Sequence, residues 1–293
     1  MPGYDICCIG HITSDKVVTN QSVMYMPGGT AYYFSCALSK FPIKYLLATA
    51  LAPAEIHYVE MLREKGVEVM VQPSAKTVFF ENIYGENQDE RTQNVLAIAD
   101  NFNTQQFSDT EAQIFHLGPL LANDISIDLI KLLATKGRVS LDVQGYLRRV
   151  EDQKVYPTDW PGRKDALQYI DILKADVAEL KALTGLSGVR DGVMEIADWG
   201  VKEIVITNGS QGSTIWHAGV FYDIPAFSPE ITIDATGCGD TYMAGYLYQR
   251  IKGADIQQSG RFAAAMAGLK TANAGAFQGT VAEVQAFLEA GRN

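Results

Sequence analysis

The regular alternation of apolar strands and amphipathic helices is the feature of this sequence that most restricts its fold. Tyr4–Ile9 and Tyr45–Leu51 are short apolar runs typical of buried strands. Between them, Phe34, Leu38 and Phe41 fall at i, i+4 and i+7, which predicts a helix with one apolar face. A further helix and strand follow and extend the pattern to βαβαβ. This order predicts a mainly parallel sheet with helices on its faces.

The alternation resumes at residue 114 and continues to the end of the sequence. The elements predicted there are strands at 114–118, 138–143, 170–174 and 203–207, a hairpin at 213–224, helices at 124–136, 176–184 and 190–199, two strongly periodic helices through Met243, Leu247, Ile251 and through Phe262, Met266, Leu269, and a short helix from Thr280. We find no internal repeat, low-complexity tract or linker. The sequence therefore predicts one α/β domain over residues 1–293.

One segment breaks the pattern between these two halves. Residues 76–84 and 91–99 predict two strands around the polar turn at 85–90. Alternate positions from Thr77 to Ile83 give a face that is only half apolar. We therefore expect a small β hairpin outside the main core.

Charge and composition exclude several classes of function. The 24 Lys and Arg residues against 34 Asp and Glu give a net charge of −10, which argues against nucleic acid or an anionic membrane as a partner. No run approaches the length of a membrane span, and the first residues lack the basic region of a signal peptide. The four cysteines match neither a disulfide framework nor a zinc-ligand spacing. We therefore expect a cytoplasmic protein with reduced thiols.

The segment 231–241, ITIDATGCGDT, has the clearest chemical content. It predicts a strand end, a tight turn containing Gly237 and Gly239, and then a helix N-terminus. Unpaired N–H groups and the dipole of such a helix favour an anion at this position. Asp240 lies in the same turn, where it either only caps the helix or acts as a base. A carboxylate beside an anion hole is the arrangement that phosphoryl transfer to a hydroxyl requires.

The heptapeptide at 234–240, DATGCGD, resembles the D-T-x-G-A-G-D signature of the ribokinase-like, or PfkB, family of sugar kinases. The resemblance extends over nearly the whole chain. Further segments that look like family motifs, in matching order, are Gly10–Asp15 at the first strand exit, PGGTA at 27–31, DVAE at 176–179 and TNGSQG at 207–212. The family implies a three-layer αβα sandwich with a mainly parallel sheet and a small β-strand lid. Segments at about 12–27 and 75–100 match that lid.

The resemblance also implies roles for individual residues. Asp240 would be the catalytic base, and the backbone N–H groups of Gly237, Cys238 and Gly239 would form an anion hole. The acceptor would be bound by Asp15, Gly28, Gly29 and Thr30, and the nucleotide by Asp176, Thr207, Gly209, Gly212 and Asn273. Glu179 would organise Mg²⁺ through water, and Asp234 would help to hold a monovalent cation such as K⁺ behind the anion hole. ATP is the phosphoryl donor that these assignments imply.

The loop after the strand at 138–143 offers two further candidates. It follows a strand at the edge where open α/β sheets bind ligands. Gln144 could hydrogen-bond an acceptor hydroxyl, and Arg148 could pair with a phosphate. A polar loop with a surface arginine is an equal alternative.

Several positions depart from the family pattern. Asp176 stands where the family usually has Asn, and Ala235 stands where it has Thr. Cys238 replaces the usual Ala, and a thiol at a helix start tends towards a lowered pKa, so we hypothesise that its alkylation blocks the anion hole. The alternative, which we favour, is that Cys238 is a small buried apolar side chain. Tyr33 falls where many members have an Asn that contacts the acceptor. These departures retain the base and the anion hole, but they do not determine which acceptor is phosphorylated. The double-glycine motif and the 142–148 loop look more like the inositol-kinase-like branch.

The sequence thus predicts an ATP-dependent kinase that phosphorylates a hydroxyl of a small sugar or polyol. One alternative is a nucleoside kinase, for which Tyr32, Tyr33 or Phe79 could provide an aromatic platform. The other is a non-catalytic sugar or nucleotide sensor on the same fold. The half-apolar hairpin permits a homodimer through the lid.

Overall fold

The computed structural model describes residues 3–84 and 91–291, so the turn predicted at 85–90 lies outside the described residues. The described strands are β1 (Tyr4–Gly10), β2 (Thr13–Val18), β3 (Val23–Gly28), β4 (Tyr45–Leu51), β5 (Glu68–Pro73), β6 (Val78–Tyr84), β7 (Arg91–Ala97), β8 (Ala112–Gly118), β9 (Arg138–Asp142), β10 (Arg148–Glu151), β11 (Lys154–Pro157), β12 (Ile172–Asp176), β13 (Glu203–Thr207), β14 (Ser213–His217) and β15 (Val220–Ile224). The described helices are α1 (Gly29–Leu38), α2 (His57–Glu64), α3 (Ile127–Ala134), α4 (Arg163–Leu167), α5 (Val177–Thr184), α6 (Val189–Asp198), α7 (Cys238–Ile251), α8 (Ile256–Thr271) and α9 (Val281–Glu289).

A nine-stranded sheet forms the centre of the molecule. Its strand order is β15-β14-β13-β12-β9-β8-β1-β4-β5. Every neighbouring pair is parallel except β13 with β14 and β14 with β15, which form the predicted hairpin at one edge. The mainly parallel sheet is therefore confirmed.

Both faces of this sheet are covered by helices, and β1 shows why its sequence is a continuous apolar run. Ile6 and Cys8 belong to one buried cluster, which contains α1, α7 and α8. Cys7 and Ile9 point to the opposite face and belong to a second cluster, with α3, α5 and α6. A strand buried on both faces needs apolar residues at every position rather than at alternate ones. The expected three-layer sandwich is confirmed.

A second, six-stranded sheet lies beside the sandwich in the order β10-β11-β7-β6-β2-β3. It contains the predicted hairpin, since β6 pairs antiparallel with β7. The strand β2 joins β6 in parallel and β3 in antiparallel register. A small buried cluster, which includes Val78, Phe80 and Leu120, packs this sheet against the main body.

The sequence reading missed three short elements. Residues 148–157 form β10 and β11 of the second sheet, where we predicted no strand. These strands have four residues each, which is too short for a clear apolar periodicity. The five-residue α4 is too short for a periodic signal. Within the described part of the chain, no helix is both long enough and apolar enough to cross a membrane.

Candidate active site

The site lies at the carboxyl ends of the central strands, where loops after β1, β9 and β12 meet the N-terminus of α7. Gly237 is the residue before α7 and has left-handed backbone geometry, with φ of +75°. This conformation suits glycine and lets the turn reverse direction in a few atoms. The N–H of Cys238 donates to the carbonyl of Ala235 at 3.2 Å, which closes the turn. The first N–H groups of α7 lack intrahelical acceptors and point out of the helix end.

Asp240 lies in the first turn of α7 and is partly buried. Burial raises the pKa of this carboxyl to about 7, and the negative charge of Asp142 adds to the rise. The positive charge of Lys174 and a hydrogen bond with Thr30 oppose it. A carboxyl with a pKa near neutrality is matched to general-base work, because it is ionised in part yet binds a proton well.

Lys174 is a buried lysine in β12 that the sequence reading did not select. Its Nζ lies 2.9 Å from Oδ2 of Asp142 and 3.8 Å from Oε2 of Glu179. Burial works to lower the pKa of Lys174, but the two carboxylates outweigh that effect and hold the pKa above its ordinary value. A lysine between the apolar residues Leu173 and Ala175, at the end of the strand predicted at 170–174, was the available signal, because lysine is rarely buried without a partner.

The motif at 176–179 forms a capping box at the start of α5. Oδ1 of Asp176 accepts from the N–H of Glu179, and Oε2 of Glu179 accepts from the N–H of Asp176, both at 2.7 Å. The side-chain amide of Gln144 donates to Oε1 of Glu179 at 3.1 Å. Gln144 thus lies beside the proposed metal-organising carboxylate. Burial raises the pKa of Glu179, while the ammonium of Lys174 lowers it.

The residues present fit Mg²⁺ only in an outer shell. Both carboxylate oxygens of Glu179 already accept hydrogen bonds from protein groups. Among the described residues, no group of three acidic, His or Cys side chains is placed to hold a metal ion directly. Magnesium bound mainly by phosphate oxygens and water is compatible with this donor set.

The acceptor-side residues gather where β2, β3 and α1 meet. Oδ1 of Asp15 accepts from the hydroxyl of Thr13 at 2.7 Å. The Asp15 carboxylate touches the backbone of Gly28 so closely that a β-carbon there would overlap it. Thr30 is buried and interacts with Asp240, which joins the double-glycine motif to the base. Arg148 starts β10 in the second sheet, where its backbone carbonyl accepts from Ala122.

Tyr33 lies between the acceptor side and the turn before α7. Its ring packs against the α-carbon of Gly237. Burial raises the pKa of the Tyr33 hydroxyl, and the nearby charges of Asp15, Asp234 and Asp240 raise it further. The residue that departs from the family pattern therefore lies within the site.

A cavity of about 310 Å³ opens on the other side of the turn. Its walls include Thr207, Gly209 and Gly212, three of the residues expected on the nucleotide side. Apolar groups of Phe227, Ala264 and Ala267 and the ring of Tyr242 line it as well. Asn273, also expected there, is exposed and is not part of this wall.

Asp234 lies behind the turn and is bound by a lysine. Nζ of Lys270 donates to the backbone carbonyl of Asp234 at 2.7 Å and to its Oδ2 at 2.8 Å. The N–H of Thr236 donates to Oδ1 at 2.8 Å. Burial acts to raise the pKa of Asp234, but these hydrogen bonds hold it below its ordinary value.

Of the two alternatives for Cys238, the structure favours a small packed side chain over an activated thiol. Burial raises the pKa of this thiol to about 11, although the charge of Lys270 acts in the opposite direction. The Sγ atom points to the carbonyl of Ala267 at 3.7 Å, away from the helix end. Desolvation is thus the largest influence on the pKa of this thiol, and Cys238 is a small packed side chain.

A carboxyl group with a pKa near neutrality, a glycine turn at a helix N-terminus and an adjoining cavity thus lie together at one edge of a three-layer αβα sandwich. Residues 4–281 match the model of the pfkB family carbohydrate kinases. The chain belongs to this family and is a kinase, as its sequence predicts.

Curated relatives and solved structures agree with this membership. The cytidine kinase of Thermococcus kodakarensis is 25% identical over 268 residues, which cover 87% of this chain and 91% of that protein. A pyrophosphate-dependent kinase of the ribokinase family, solved with a pyrophosphate analog and myo-inositol, is 28% identical with a TM-score of 0.84 and covers 96% of this chain and 99% of its own. The structure of Arabidopsis thaliana ribokinase with ribose and ATP superimposes with a TM-score of 0.78 and covers 98% of this chain and 99% of its own. At 20% identity this similarity shows a shared fold.

Proposed function

We propose that this protein is an ATP-dependent kinase that phosphorylates a hydroxyl of a small sugar or cyclitol, with Asp240 as the general base. The observation that carries the proposal is the position of Asp240. It is a partly buried carboxylate with a pKa of about 7, in the helix turn that faces both Thr30 and the 237–239 backbone. A capping residue alone would need neither the raised pKa nor the buried lysine beside it.

The proposed reaction transfers one proton and one phosphoryl group. The acceptor hydroxyl gives its proton to a carboxylate oxygen of Asp240 as its oxygen bonds to the terminal phosphorus of ATP. The bond from that phosphorus to the bridging oxygen breaks, and ADP leaves. Backbone N–H groups at Gly237 and Gly239 would stabilise the equatorial oxygens of the transferring group. The ammonium of Lys174 offsets the negative charge of Asp142 and Glu179 near this centre.

The cavity behind Thr207 and Gly212 supports a nucleotide as donor. Its volume of about 310 Å³ and its alanine and aromatic walls suit a nucleobase. Pyrophosphate has no apolar part that would use these walls. Because the structural neighbour at 28% identity is described as pyrophosphate-dependent, the donor has to be tested with both compounds.

Glu179 would hold Mg²⁺ through water, and the bound ion would supply charge neutralisation to the donor phosphates. Gln144 and the N–H of Asp176 fix the Glu179 carboxylate for this role. The carboxylate of Asp176 accepts from the N–H of Glu179 in the capping box, so its role here is to hold Glu179 and not to contact a phosphate.

Asp15 and the Gly28 backbone support a polyol as acceptor, because a carboxylate accepts hydrogen bonds from vicinal hydroxyls. The neighbour solved with myo-inositol favours a cyclitol or a sugar of similar size. We further propose that the second sheet closes over the acceptor and excludes water.

A nucleoside is the second candidate acceptor. The Thermococcus relative is a cytidine kinase, and its match covers most of both chains. The rings of Tyr25 and Phe79 lie 6.4 Å apart on the second sheet and could contact a base. Tyr33, in contrast, is packed against Gly237.

The test is a matrix of two donors, ATP and pyrophosphate, against ribose, fructose, 2-keto-3-deoxygluconate, myo-inositol and nucleosides. ADP release or phosphate release is measured with and without each acceptor. We expect acceptor-dependent ADP release with a sugar or cyclitol. The control is Asp240→Asn, for which we expect a fall in kcat of at least about 10²-fold with ATP binding retained. Near-normal turnover in that variant contradicts the proposal, and binding without turnover in the wild type identifies a sensor.

Two further expectations remain predictions. The exposed apolar residues Val23, Met24 and Tyr25 on β3 support a homodimer through the second sheet, which sedimentation measurements test. The cytoplasmic location stays an expectation from the cysteine pattern.

A further inference from the structure

Lys270 is a fully buried lysine in α8, and its charged end lies behind the turn that carries the proposed anion hole. The residue is 1% exposed, and the other buried residues of this helix are uncharged. A buried ammonium is costly unless it is paired and hydrogen-bonded. The residue that binds it is Asp234, at the start of the 234–240 signature.

The contacts of Asp234 join two segments of the chain through this lysine. Its backbone carbonyl and Oδ2 accept from Nζ of Lys270, while Oδ2 also accepts from the N–H of Gly275 at 3.1 Å. Oδ1 accepts from the N–H of Thr236, inside the turn. The N–H of Ile233 donates to the carbonyl of Thr271 at 2.7 Å. The turn is thus fixed to the end of α8 by one ammonium and a set of backbone hydrogen bonds.

We propose that the Lys270 ammonium is a built-in cation that positions the 235–239 turn, so that the kinase needs no monovalent metal ion there. The backbone carbonyl and the carboxylate of Asp234, the oxygens that such an ion would take, already accept from Nζ and from Thr236. K⁺, which the sequence led us to expect at Asp234, therefore does not fit beside Lys270. The inference rests on the proposed function in one respect, namely that this turn binds the transferring phosphate.

The charge of Lys270 also acts within the turn. It lowers the pKa of the Cys238 thiol, against the larger effect of burial. Its field therefore reaches the first residue of α7, next to the N–H groups that would face the phosphate. Lys270 is a positioning residue, because its ammonium donates its hydrogen bonds to Asp234.

The first experiment uses the wild-type protein. Turnover and melting temperature are measured in 100 mM tetramethylammonium chloride and again in 100 mM KCl, two buffers of roughly equal ionic strength. We expect kcat and melting temperature to agree between the two buffers, with kcat within about twofold. Activation by K⁺ of about tenfold or more overturns the proposal.

The second experiment removes the ammonium with Lys270→Ala. We expect kcat to fall by about 10²-fold in the K⁺-free buffer, since misplacing a binding group by 1 Å has effects of that size. Added K⁺ or NH₄⁺ should restore part of the activity and raise the melting temperature of this variant alone. The matched control is Lys202→Ala, which removes an exposed ion pair with Asp171. Full activity of Lys270→Ala without K⁺ overturns the proposal.

The melting temperatures separate the two proposals. If no acceptor is phosphorylated, the proposed function fails, but K⁺ should still stabilise Lys270→Ala and not the wild type. If Lys270→Ala does not fold, the same measurements are made on Lys270→Met, which keeps an apolar side chain of similar length but lacks the ammonium. Folded variants that neither K⁺ nor NH₄⁺ stabilises or reactivates contradict the role of Lys270 as a cation.

Discussion

The ring of Tyr33 packs directly on the α-carbon of Gly237, so that a β-carbon at this position would overlap the ring atoms Cδ1 and Cγ. Gly237 also has a φ of +75°, a left-handed backbone conformation that costs free energy for residues other than glycine. Backbone conformation and a close aromatic contact therefore both select glycine at the turn before α7. The position of the proposed anion hole depends on both.

We expect Gly237→Ala to lose at least about 10²-fold in kcat, because the turn must shift by roughly an ångström to clear the Tyr33 ring. Its free energy of unfolding should fall by more than the ~1–2 kcal/mol that left-handed geometry costs on its own. Turnover and urea unfolding measure the two effects.

Gly253→Ala is the matched control. Gly253 has a φ of +80° but open space around its α-carbon, so the substitution imposes the same backbone cost without a clash. The double variant Gly237→Ala/Tyr33→Ala should recover only the steric part of the loss. Equal stability of Gly237→Ala and Gly253→Ala would show that the Tyr33 contact does not select glycine.

The raised pKa of Asp240 predicts the pH dependence of turnover. A base must be ionised to accept a proton, and this carboxyl titrates at a pKa of about 7. We expect kcat/KM for the acceptor, measured at saturating donor, to fall about tenfold per pH unit below this value and to level off above it. A profile that stays flat between pH 5.5 and 8 excludes Asp240 as the base.

The same pKa predicts an effect on stability. Asp240 has a higher pKa when folded than the value near 3.9 expected in the unfolded chain, so the folded state binds more protons between about pH 4 and pH 7. Its contribution to stability therefore falls as pH rises through that window. Asp240→Asn should be more stable than the wild type by about 1–3 kcal/mol at pH 8 and equal to it near pH 4. Chemical unfolding at both pH values tests this, and a variant less stable at pH 8 contradicts it.

Periodicity was enough to predict the central sandwich, because long strands buried on both faces and helices with one apolar face carry strong signals. It was not enough for β10 and β11, because strands of four residues are too short to show a clear period. The predicted ends also moved where a side chain caps a helix, as at Ser126, whose hydroxyl accepts from Leu129 and starts α3 three residues later than expected.

The signature residues of the site were found from sequence, but their partners were not. Lys174 lies 32 positions from Asp142 and Lys270 lies 36 positions from Asp234, so local spacing cannot reveal either pair. Both could have been suspected as charged residues inside apolar segments. The role of Tyr33 against Gly237 depends on a contact across 204 positions of the chain, which only the fold brings together.

Replacing Lys174, the buried lysine of β12, should leave the carboxylates of Asp142 and Glu179 without their ammonium partner. Lys174→Met leaves Asp142 without its ammonium partner at 2.9 Å, so we expect a loss of about 3–5 kcal/mol in the free energy of unfolding. Lys174 also lowers the pKa of Asp240, so its removal should shift the acid limb of the rate profile to higher pH. Urea unfolding and the pH profile are the measurements.

Lys202→Met is the control for this change, because it breaks an ion pair whose lysine is 71% exposed and should cost less than about 1 kcal/mol. Lys174→Met/Asp142→Asn should recover part of the lost stability, since the second substitution removes the unpaired charge. Equal losses in Lys174→Met and Lys202→Met would mean that the buried pair does not stabilise the fold.

The cavity beside the turn predicts how the donor is selected. Ala267 lies in its wall, near Cys238, and Ala267→Leu places three additional carbons there. If a nucleobase occupies the cavity, KM for ATP should rise by about tenfold or more, since a well-packed pocket tolerates extra methylenes poorly. Any turnover with pyrophosphate should change far less. Ala286→Leu, an exposed position of α9, is the matched control and should leave both donors unaffected. An unchanged KM for ATP in Ala267→Leu places the base outside this cavity.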